Sequence, residues 1–407
     1  MSEVANKVPK LRFPEFNQPL LADILLNLTD ILRCGIAATP KYVDSGITFL
    51  SSQNVTSTGK ISMEKYNFIS EDYYKKISKN SKLLKGDILY SRVGARYGNA
   101  AIFPFEGDYG VYVSLTHIRA SQQLNNTFLK FLLNSPIGKI QAKKGVFQGG
   151  GVPNLNVKIV EKFKINFPAK PEQQKIASFL SSVDNKIEQL SKKQALLGEY
   201  KKGLTQQIFS QEIRFKADNG SSFPDWEEKK LGDCLSHKSK KNKNNEVDLV
   251  LSVSNKKGFI TQDEQFDGYQ VASKDLTNYK IVKKGEYAYN PSRINVGSIA
   301  RLKNNSIGIV SPMYVVFKLK NLDSIFFDNL YQTHLFKHLI KVGCSGSVRD
   351  SLNFNDMADF VFSFPSLEEQ IKIANFLSSI DSKIEQVGEQ LNESKQFKKA
   401  LLQQMFV

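Results

Sequence analysis

The stretch KIASFLSSVDNKIEQ at residues 175–189 returns as KIANFLSSIDSKIEQ at residues 372–386. Aligned from Phe167 and Phe364 at a constant offset of 197 residues, the two copies agree at 22 of 43 positions without a gap. Each copy opens with Phe-Pro and continues to Glu-Gln, at Glu172 and Glu369. A proline followed by acidic side chains predicts a helix start, because negative charge stabilises the exposed N–H groups of the first turn. The chain therefore carries one helical segment twice.

Apolar residues in both copies follow a heptad spacing, which is typical of coiled-coil helices. Lys201 and Lys398 occupy matching positions in this seam. Polar seam residues commonly fix the register of a coiled coil, so they favour pairing of the two helices with each other. The alternative is two ordinary amphipathic helices, each packed on its own domain. The residues predicted to form the seam are Leu180, Val183, Ile187, Leu190, Leu377, Ile380, Ile384 and Val387.

The segments between the helical copies also repeat, more faintly. FPEF (13–16) and LADI (21–24) return as FPDW (223–226) and LGDC (231–234), and KGDILYSR (85–92) resembles KGEYAYNPSR (284–293). VYVSLTHI (111–118) and SPMYVVFKL (311–319) are rich in β-branched and aromatic residues, which predicts strands, and a helical stretch follows each. We therefore expect an α+β fold with two mixed α/β domains and two long helices. The predicted boundaries are 1–166 and 213–363 for the domains, and 167–212 and 364–407 for the helices.

The excess of basic residues lies in the two domains. The formal net charge is +16 over 407 residues, divided as +11 in 1–170, +1 in 171–212, +5 in 213–363 and −1 in 364–407. A solvated basic surface would account for the total, but a nucleic-acid partner accounts better for the partition. The sequence contains no run of 18 uncharged apolar residues and opens without an apolar signal segment, so we expect a cytoplasmic protein.

Residue patterns for catalysis are missing from the sequence. His334 and His338 stand four residues apart without the glutamate of HExxH, so they indicate a helix surface rather than a zinc site. No GxxxxGK[ST] loop is present to cradle a nucleotide, and Asn290-Pro291 is followed by serine where an amino-methyltransferase motif has a second proline. The three cysteines are far apart and predict neither a disulfide framework nor a metal site. We expect a binding protein that is not an enzyme, without metal or catalytic residues.

Loops of both domains carry side chains that are able to read DNA bases. Arginine can bond guanine O6 and N7 through two N–H groups, and asparagine or glutamine can pair in the same way with adenine. Each such residue taken alone is also an ordinary surface residue, and it is their recurrence in both halves that favours a DNA-binding set. The predicted DNA-binding residues are Arg92, Arg96, Tyr97, Gln148, Asn255, Lys256, Arg293 and Arg349.

The tandem plan, the Phe-Pro and Glu-Gln helix entries and the FPEF and FPDW openings resemble the specificity subunit of type I restriction–modification enzymes. The resemblance covers essentially the whole chain and is most specific in the helical segments. It implies two target recognition domains that read a split duplex DNA site, and two helices that form an antiparallel coiled coil between them. It also implies two modification subunits, which methylate adenine with S-adenosylmethionine, and restriction subunits, which cleave DNA in bacterial defence. ATP and Mg²⁺ are then expected on those partners, and no cofactor on this chain.

Two points stay open at the level of sequence. The competing function is a coiled-coil interaction protein whose basic lobes bind RNA or a protein; a free-standing methyltransferase is disfavoured by the missing motifs. Phe179 and Phe376, at matching places in the helical copies, are either anchors for the modification subunit or side chains packed on their own domains.

Overall fold

The computed structural model describes residues 3–4, 8–79, 82–147, 151–255, 257–261, 275–344 and 351–407. The chain divides into two compact units. Unit 1 consists of Met1–Lys192 and Gly388–Val407, and unit 2 consists of Lys193–Val387. Two long helices pass from one unit into the other, so each unit combines a globular part with a segment of both helices.

Unit 1 begins with strands and ends with the first long helix, α5. Its strands are β1 (Glu3–Val4), β2 (Leu21–Ile24), β3 (Thr29–Cys34), β4 (Ile47–Leu50), β5 (Asn67–Ile69), β6 (Ile88–Ser91), β7 (Ala100–Ile102), β8 (Tyr109–Val111), β9 (Leu115–Ala120), β10 (Val146–Phe147), β11 (Asn154–Leu155) and β12 (Lys164–Phe167). Its helices are α1 (Glu71–Ser78), α2 (Asn126–Asn134), α3 (Pro136–Gly145), α4 (Val157–Val160) and α5 (Lys170–Phe209), of which α5 continues into unit 2. Short 3₁₀ turns occupy Leu25–Leu28 and Ser52–Asn54.

Unit 2 repeats this order in the residues that the structure describes. Its strands are β13 (Glu227–Lys230), β14 (Leu235–Lys238), β15 (Leu251–Ser254), β16 (Gly258–Thr261), β17 (Lys280–Lys283), β18 (Tyr287–Tyr289), β19 (Ile299–Arg301), β20 (Ile307–Val310), β21 (Val315–Leu319) and β22 (Val361–Phe364). Its helices are α6 (Ser324–Leu330), α7 (His334–Cys344), α8 (Phe354–Ala358) and α9 (Leu367–Gln404), of which α9 continues into unit 1. The 3₁₀ turns lie at Leu231–Cys234 and Ile294–Val296.

The central sheets of the two units have the same topology. The strand order is β3-β9-β6-β7 in unit 1 and β14-β21-β18-β19 in unit 2, and every pair within both sheets is antiparallel. A two-strand pairing just before each long helix also repeats, as β2-β12 and β13-β22. This α+β architecture confirms the predicted fold class, and the repeated order shows that the faint sequence repeat reflects a duplicated domain.

Each predicted helical stretch after the central strands is divided in two. In unit 1 the division falls at Ser135, whose hydroxyl accepts a hydrogen bond from the Gly138 N–H while Pro136 stands in the first turn of α3. A capping serine followed by proline starts a new helix, because proline supplies no N–H to the preceding helix. The single helices expected from the sequence are therefore α2-α3 and α6-α7 pairs.

The long helices pack against each other in an antiparallel sense within each unit. In unit 1 the start of α5, at Ile176 and Leu180, shares one hydrophobic core with the end of α9, at Leu401 and Met405. In unit 2 the end of α5, at Ile208, shares a core with the start of α9, at Ile373, Leu377 and Ile380. All eight predicted seam residues are buried or half-buried. Burial of this apolar stripe is what the heptad spacing requires, and the antiparallel pairing of the two helices bears out the predicted fold class.

The seam lysines form ion pairs with the opposite helix. Lys398 Nζ lies 2.5 Å from an Asp184 carboxylate oxygen in unit 1, and Lys201 Nζ lies 2.8 Å from Asp381 in unit 2. Asp184 and Asp381 occupy equivalent positions of the repeat, as do the two lysines, so the two pairs are copies of one contact. In unit 1 the Lys130 ammonium also lies 3.3 Å from Asp184, and this side chain comes from α2. The positions and charges of these lysines and aspartates therefore specify the register between the two long helices, as expected for polar seam residues.

The Glu-Gln motif anchors each long helix to its own unit. Glu172 is 2% exposed and receives the Arg12 guanidinium through Nε and Nη2, both at 2.7 Å from its two oxygens. Glu369, which is fully buried, receives Arg214 in the same way, at 3.2 and 2.9 Å. The glutamines that follow, Gln173 and Gln370, accept the backbone N–H at the N-cap of α2 or α6. From the sequence, the two glutamates were predicted only to stabilise the exposed N–H groups at the start of each helix.

Phe179 and Phe376 pack on their own units. The Phe179 ring meets Phe13 edge-on at 5.7 Å between centroids, and Phe376 meets Phe215 at 5.3 Å. Both side chains belong to the periphery of the hydrophobic cores. Of the two alternatives, the structure bears out packing of both side chains on their own units, and it leaves each ring partly exposed.

Candidate nucleic-acid interface

Each central sheet presents one loop of equal length at the same place. In unit 1, Tyr90 pairs with Ala100, and in unit 2, Tyr289 pairs with Ile299, which leaves nine residues in each connection. We call residues 91–99 the unit 1 hairpin loop and residues 290–298 the unit 2 hairpin loop. Because both loops start and end on equivalent strands, their residues can be compared one by one at an offset of 199.

Glycine is required near the end of both loops. Gly98 has φ 77° and Gly297 has φ 94°, which side chains other than glycine rarely adopt. A Cβ at Gly98 would also lie 3.1 Å from the Ala142 side chain of α3. The turn therefore brings the unit 1 hairpin loop close to α3.

Arg92 and Arg293 do not occupy equivalent positions of the two loops. They close the KGDILYSR and KGEYAYNPSR segments of the faint repeat, which are 8 and 10 residues long. In the structure the Leu155 N–H donates to Arg92 O at 2.8 Å, and the Leu352 N–H donates to Pro291 O at 3.2 Å. Arg92 and Pro291 are therefore the equivalent residues. The two arginines do not occupy the same position.

The guanidinium of Arg92 donates its hydrogen bonds to acceptors inside unit 1. The residue is 8% exposed; Nε donates to Leu155 O at 2.9 Å, Nη1 to Val113 O at 3.2 Å, and Nη2 to Asn154 Oδ1 at 3.2 Å. These bonds hold β11 against the unit 1 hairpin loop. A base contact by Arg92 would require these bonds to break, which would leave the acceptor oxygens of Leu155, Val113 and Asn154 without this donor.

Arg96 stands at the exposed tip of the same loop. Its Nη1 donates to Gln53 O at 2.7 Å, which leaves Nε and Nη2 without a protein acceptor among the described residues. Tyr97, beside it, is half-buried against the core of unit 1. Lys139 of α3 holds the other side of the loop, where its ammonium donates to Gly98 O and Asn99 Oδ1. Burial lowers the pKa of Lys139 to about 8.

Unit 2 has clefts beside its hairpin loop. Asn255 and Arg293 line one cavity of about 130 Å³, together with Asn290 and Tyr314. Asn255 also lines an adjoining cavity of about 540 Å³, which extends to Lys337 of α7. Asn255 and Arg293 are both exposed, and their side chains have no hydrogen-bond partner within the part of unit 2 that the structure describes. The structure thus brings these two predicted residues together.

Three predicted residues, Gln148, Lys256 and Arg349, lie outside the described residues. Four further polar residues on or beside the hairpin loops were not predicted from the sequence: Lys139, Asn295, Gln332 and Lys337. Equal loop length was the signal that could have identified Asn295, because residues 85–86 match 284–285 and residues 98–101 align with 297–300 at the same offset of 199.

Buried carboxylates neutralise several cations within the sheets. Asp87 binds Arg119 and His117, with Nη2 and Nε2 each at 2.7 Å from Oδ2. Burial alone would raise the pKa of Asp87, but these hydrogen bonds outweigh it and lower the pKa to about 2. In unit 2, Asp328 pairs with Arg301 at 2.7 Å and Lys303 at 3.0 Å. The charges of Arg119, Arg301 and Lys303 are therefore partly neutralised by carboxylates within the domains, whereas Arg96, Arg293 and Lys337 are exposed to solvent.

The described residues offer neither a metal site nor a helix that could span a membrane. No group of three or more His, Cys, Asp or Glu side chains is arranged to hold a metal ion there. Nor does any helix in those ranges combine the length and apolar character needed to cross a membrane.

Comparisons with known proteins agree with this architecture. The profile of the type I restriction modification DNA specificity domain matches twice, at residues 42–197 and 224–395. A putative type I restriction enzyme MjaX specificity subunit of Methanocaldococcus jannaschii is 24% identical over 405 residues, covering 93% of this chain and 90% of the relative. The S subunit of a type I restriction–modification system from M. genitalium has the same fold, with TM-score 0.60 and 15% identity over 98% of this chain and 99% of that one. The HsdS subunit from Thermoanaerobacter tengcongensis gives TM-score 0.50, with 16% identity over 97% and 98%.

Proposed function

The chain belongs to the type I restriction–modification DNA specificity family, and from this premise we propose that units 1 and 2 each read one half of a split duplex DNA site. It is a specificity subunit with two target recognition domains. We keep residues 1–166 and 213–363 as these domains, and residues 167–212 and 364–407 as the helices that join them. The observation that carries the proposal is the pair of hairpin loops, which are equal in position and length but differ in their exposed side chains.

Two copies of one scaffold with different loops suit a bipartite site. Each scaffold can present its loop to a separate stretch of the duplex, and the differing side chains then select different bases. The basic charge of both domains supplies the attraction to phosphate that is independent of sequence. The interaction protein that binds RNA or another protein is not favoured by the family assignment.

The catalytic steps belong, in this proposal, to partner subunits. Two modification subunits would methylate adenine with S-adenosylmethionine, and restriction subunits would cleave DNA with ATP and Mg²⁺. This chain would bind no cofactor and would contribute the choice of sequence. Sequencing of methylated adenines in cells that carry the chain with its partners tests the proposal; a single bipartite motif is expected, and methylation without a motif would overturn it.

DNA affinity is expected to fall steeply with salt. Each phosphate neutralised by lysine or arginine releases counterions, so 6–10 such contacts would cost about 10³–10⁵ in affinity between 50 and 200 mM salt. Fluorescence anisotropy with a duplex that carries the motif measures this slope. Affinity that stays constant over the range would contradict binding through the basic surfaces.

Arg293 and Arg92 are expected to respond in opposite ways to replacement. Arg293→Ala removes an exposed side chain, so DNA affinity should fall by about 5- to 150-fold for the loss of a bidentate base contact, with unchanged thermal stability. Arg92→Ala removes three internal hydrogen bonds, so it should lower the stability of unit 1 first. Parallel binding and thermal-unfolding measurements separate the two effects. A destabilised Arg293→Ala protein would show that Arg293 is structural.

A further inference from the structure

The larger cleft of unit 2 is built from three separate segments. Asn255 comes from the turn between β15 and β16, Asn295 and Val296 come from the unit 2 hairpin loop, and Gln332 lies between α6 and α7. Buried apolar side chains form its floor, among them Ile294, Ile299 and Ile340. The exposed part of the lining therefore carries polar side chains beside Val296, and the buried part belongs to the core of the unit.

The polar side chains on this rim are available for a ligand. Asn255 and Asn295 are exposed, and neither side-chain amide has a hydrogen-bond partner among the residues that the structure describes. Gln332 uses one amide hydrogen on Asp328 O at 3.0 Å, which leaves its other N–H and its carbonyl oxygen free in the same described region. Three amides with both a donor and an acceptor thus face one cleft.

The base chemistry of such a rim is specific. An amide that offers a donor and an acceptor side by side matches adenine N7 and N6, whereas guanine presents two acceptors in the major groove. Val296, whose side chain is 53% exposed, offers an apolar surface of the kind that contacts the thymine methyl group. We propose that the cleft of unit 2 reads A·T base pairs, with Asn295 as the residue that selects adenine at one position.

The equivalent position in unit 1 carries a different side chain. At the offset of 199 that relates the two hairpin loops, Asn295 corresponds to Arg96 and Val296 to Tyr97. Arg96 keeps Nε and Nη2 for a guanine, which accepts two N–H groups at O6 and N7. One position of a shared loop therefore selects adenine in one half-site and guanine in the other.

This inference rests on the proposed function, and an exchange of the two side chains tests it. The chain is purified with the subunits that co-purify, and bound duplexes are selected from a random library and sequenced. Asn295→Arg should replace one adenine by guanine in the half-site of unit 2 and leave the other half-site unchanged. Arg96→Asn should produce the reverse change in the half-site of unit 1.

Control variants separate the possible failures. Asn295→Ala should reduce the preference for adenine at that position by about 5- to 150-fold without introducing guanine. Ser292→Ala, on the same loop but outside the cleft lining, should leave the motif intact. If the unaltered protein selects a bipartite motif and both exchange variants select that same motif, Asn295 and Arg96 do not determine specificity. If the unaltered protein selects no motif, the proposed function itself fails.

Discussion

Replacement of Arg214 by methionine is expected to lower the free energy of unfolding of unit 2 by about 3–5 kcal/mol. The side chain of Glu369 is completely buried, and Arg214 is its cationic partner at 2.9 Å. Removal of the guanidinium leaves an ionised carboxylate out of water, with the Trp226 indole N–H at 3.1 Å as its remaining side-chain donor in the described structure. Such an uncompensated charge costs much more than the net contribution of the intact pair.

The single tryptophan of the chain reports this transition directly. Trp226 contacts Glu369 and lies in unit 2, so urea unfolding followed by tryptophan fluorescence measures the loss at the site. Arg12→Met, which removes the equivalent cation from Glu172 in unit 1, should destabilise unit 1 but leave this signal at its original midpoint. Arg214→Met combined with Glu369→Gln should recover much of the stability, because no unpaired charge remains. A tryptophan midpoint unchanged in Arg214→Met would show that the pair contributes no stability.

Replacement of Asp184 by alanine is the second large effect we expect. The free energy of unfolding of unit 1 should fall by an amount near the lower end of about 3–5 kcal/mol. Asp184 lies between two cations, Lys398 and Lys130. Lys130 is 9% exposed, and its ammonium also lies 3.5 Å from the centroid of the Phe131 ring. Without the carboxylate, this buried ammonium keeps the desolvation cost and loses its counterion.

The repeat supplies a matched control for this variant. Asp381→Ala removes the equivalent carboxylate of unit 2, but its side chain is 52% exposed and it pairs with Lys201. Exposed pairs contribute about 0–1 kcal/mol, so this variant should remain close to the unaltered protein. Circular dichroism follows the unfolding of both variants. If Asp184→Ala and Asp381→Ala lowered the free energy of unfolding equally, the burial of Lys130 would have no special role.

The cost of Asp184→Ala should also depend on pH. Burial lowers the pKa of Lys130 to about 8, although Asp184 partly offsets this effect. When the pKa of a lysine is lower in the folded state, keeping that lysine charged lowers the stability at every pH below the folded pKa. Stability then rises with pH between the folded pKa and the unfolded pKa, because the unfolded state binds more protons there. Loss of Asp184 lowers the folded pKa further. The part of the difference that comes from Lys130 should therefore be full below the lowered pKa of the variant, shrink as the pH rises toward about 8, and be lost above that value.

The sequence by itself determined the plan of the molecule. A heptad stripe is readable without a structure because each helix buries the same face along its whole length, and eight seam residues were predicted on that ground alone. The alternation of two domains with two helices was equally visible, since duplication preserved the helical segments closely. The Glu-Gln entries were recognised as helix starts, but the burial of these glutamates and their arginine partners, 155 and 160 residues away, were not apparent.

Only the tertiary structure decided which loop residues face solvent. Arg92 and Arg96 are four residues apart in one loop and look alike in the sequence. Arg92 donates its hydrogen bonds to acceptors in β11 and in the segment before β9, whereas Arg96 is exposed. The strand pairings at both ends of each loop establish that Asn295 is equivalent to Arg96, at the offset of 199 that the sequence repeat also carries. Burial and register of this kind depend on residues brought together from distant parts of the chain, and local sequence patterns do not contain that information.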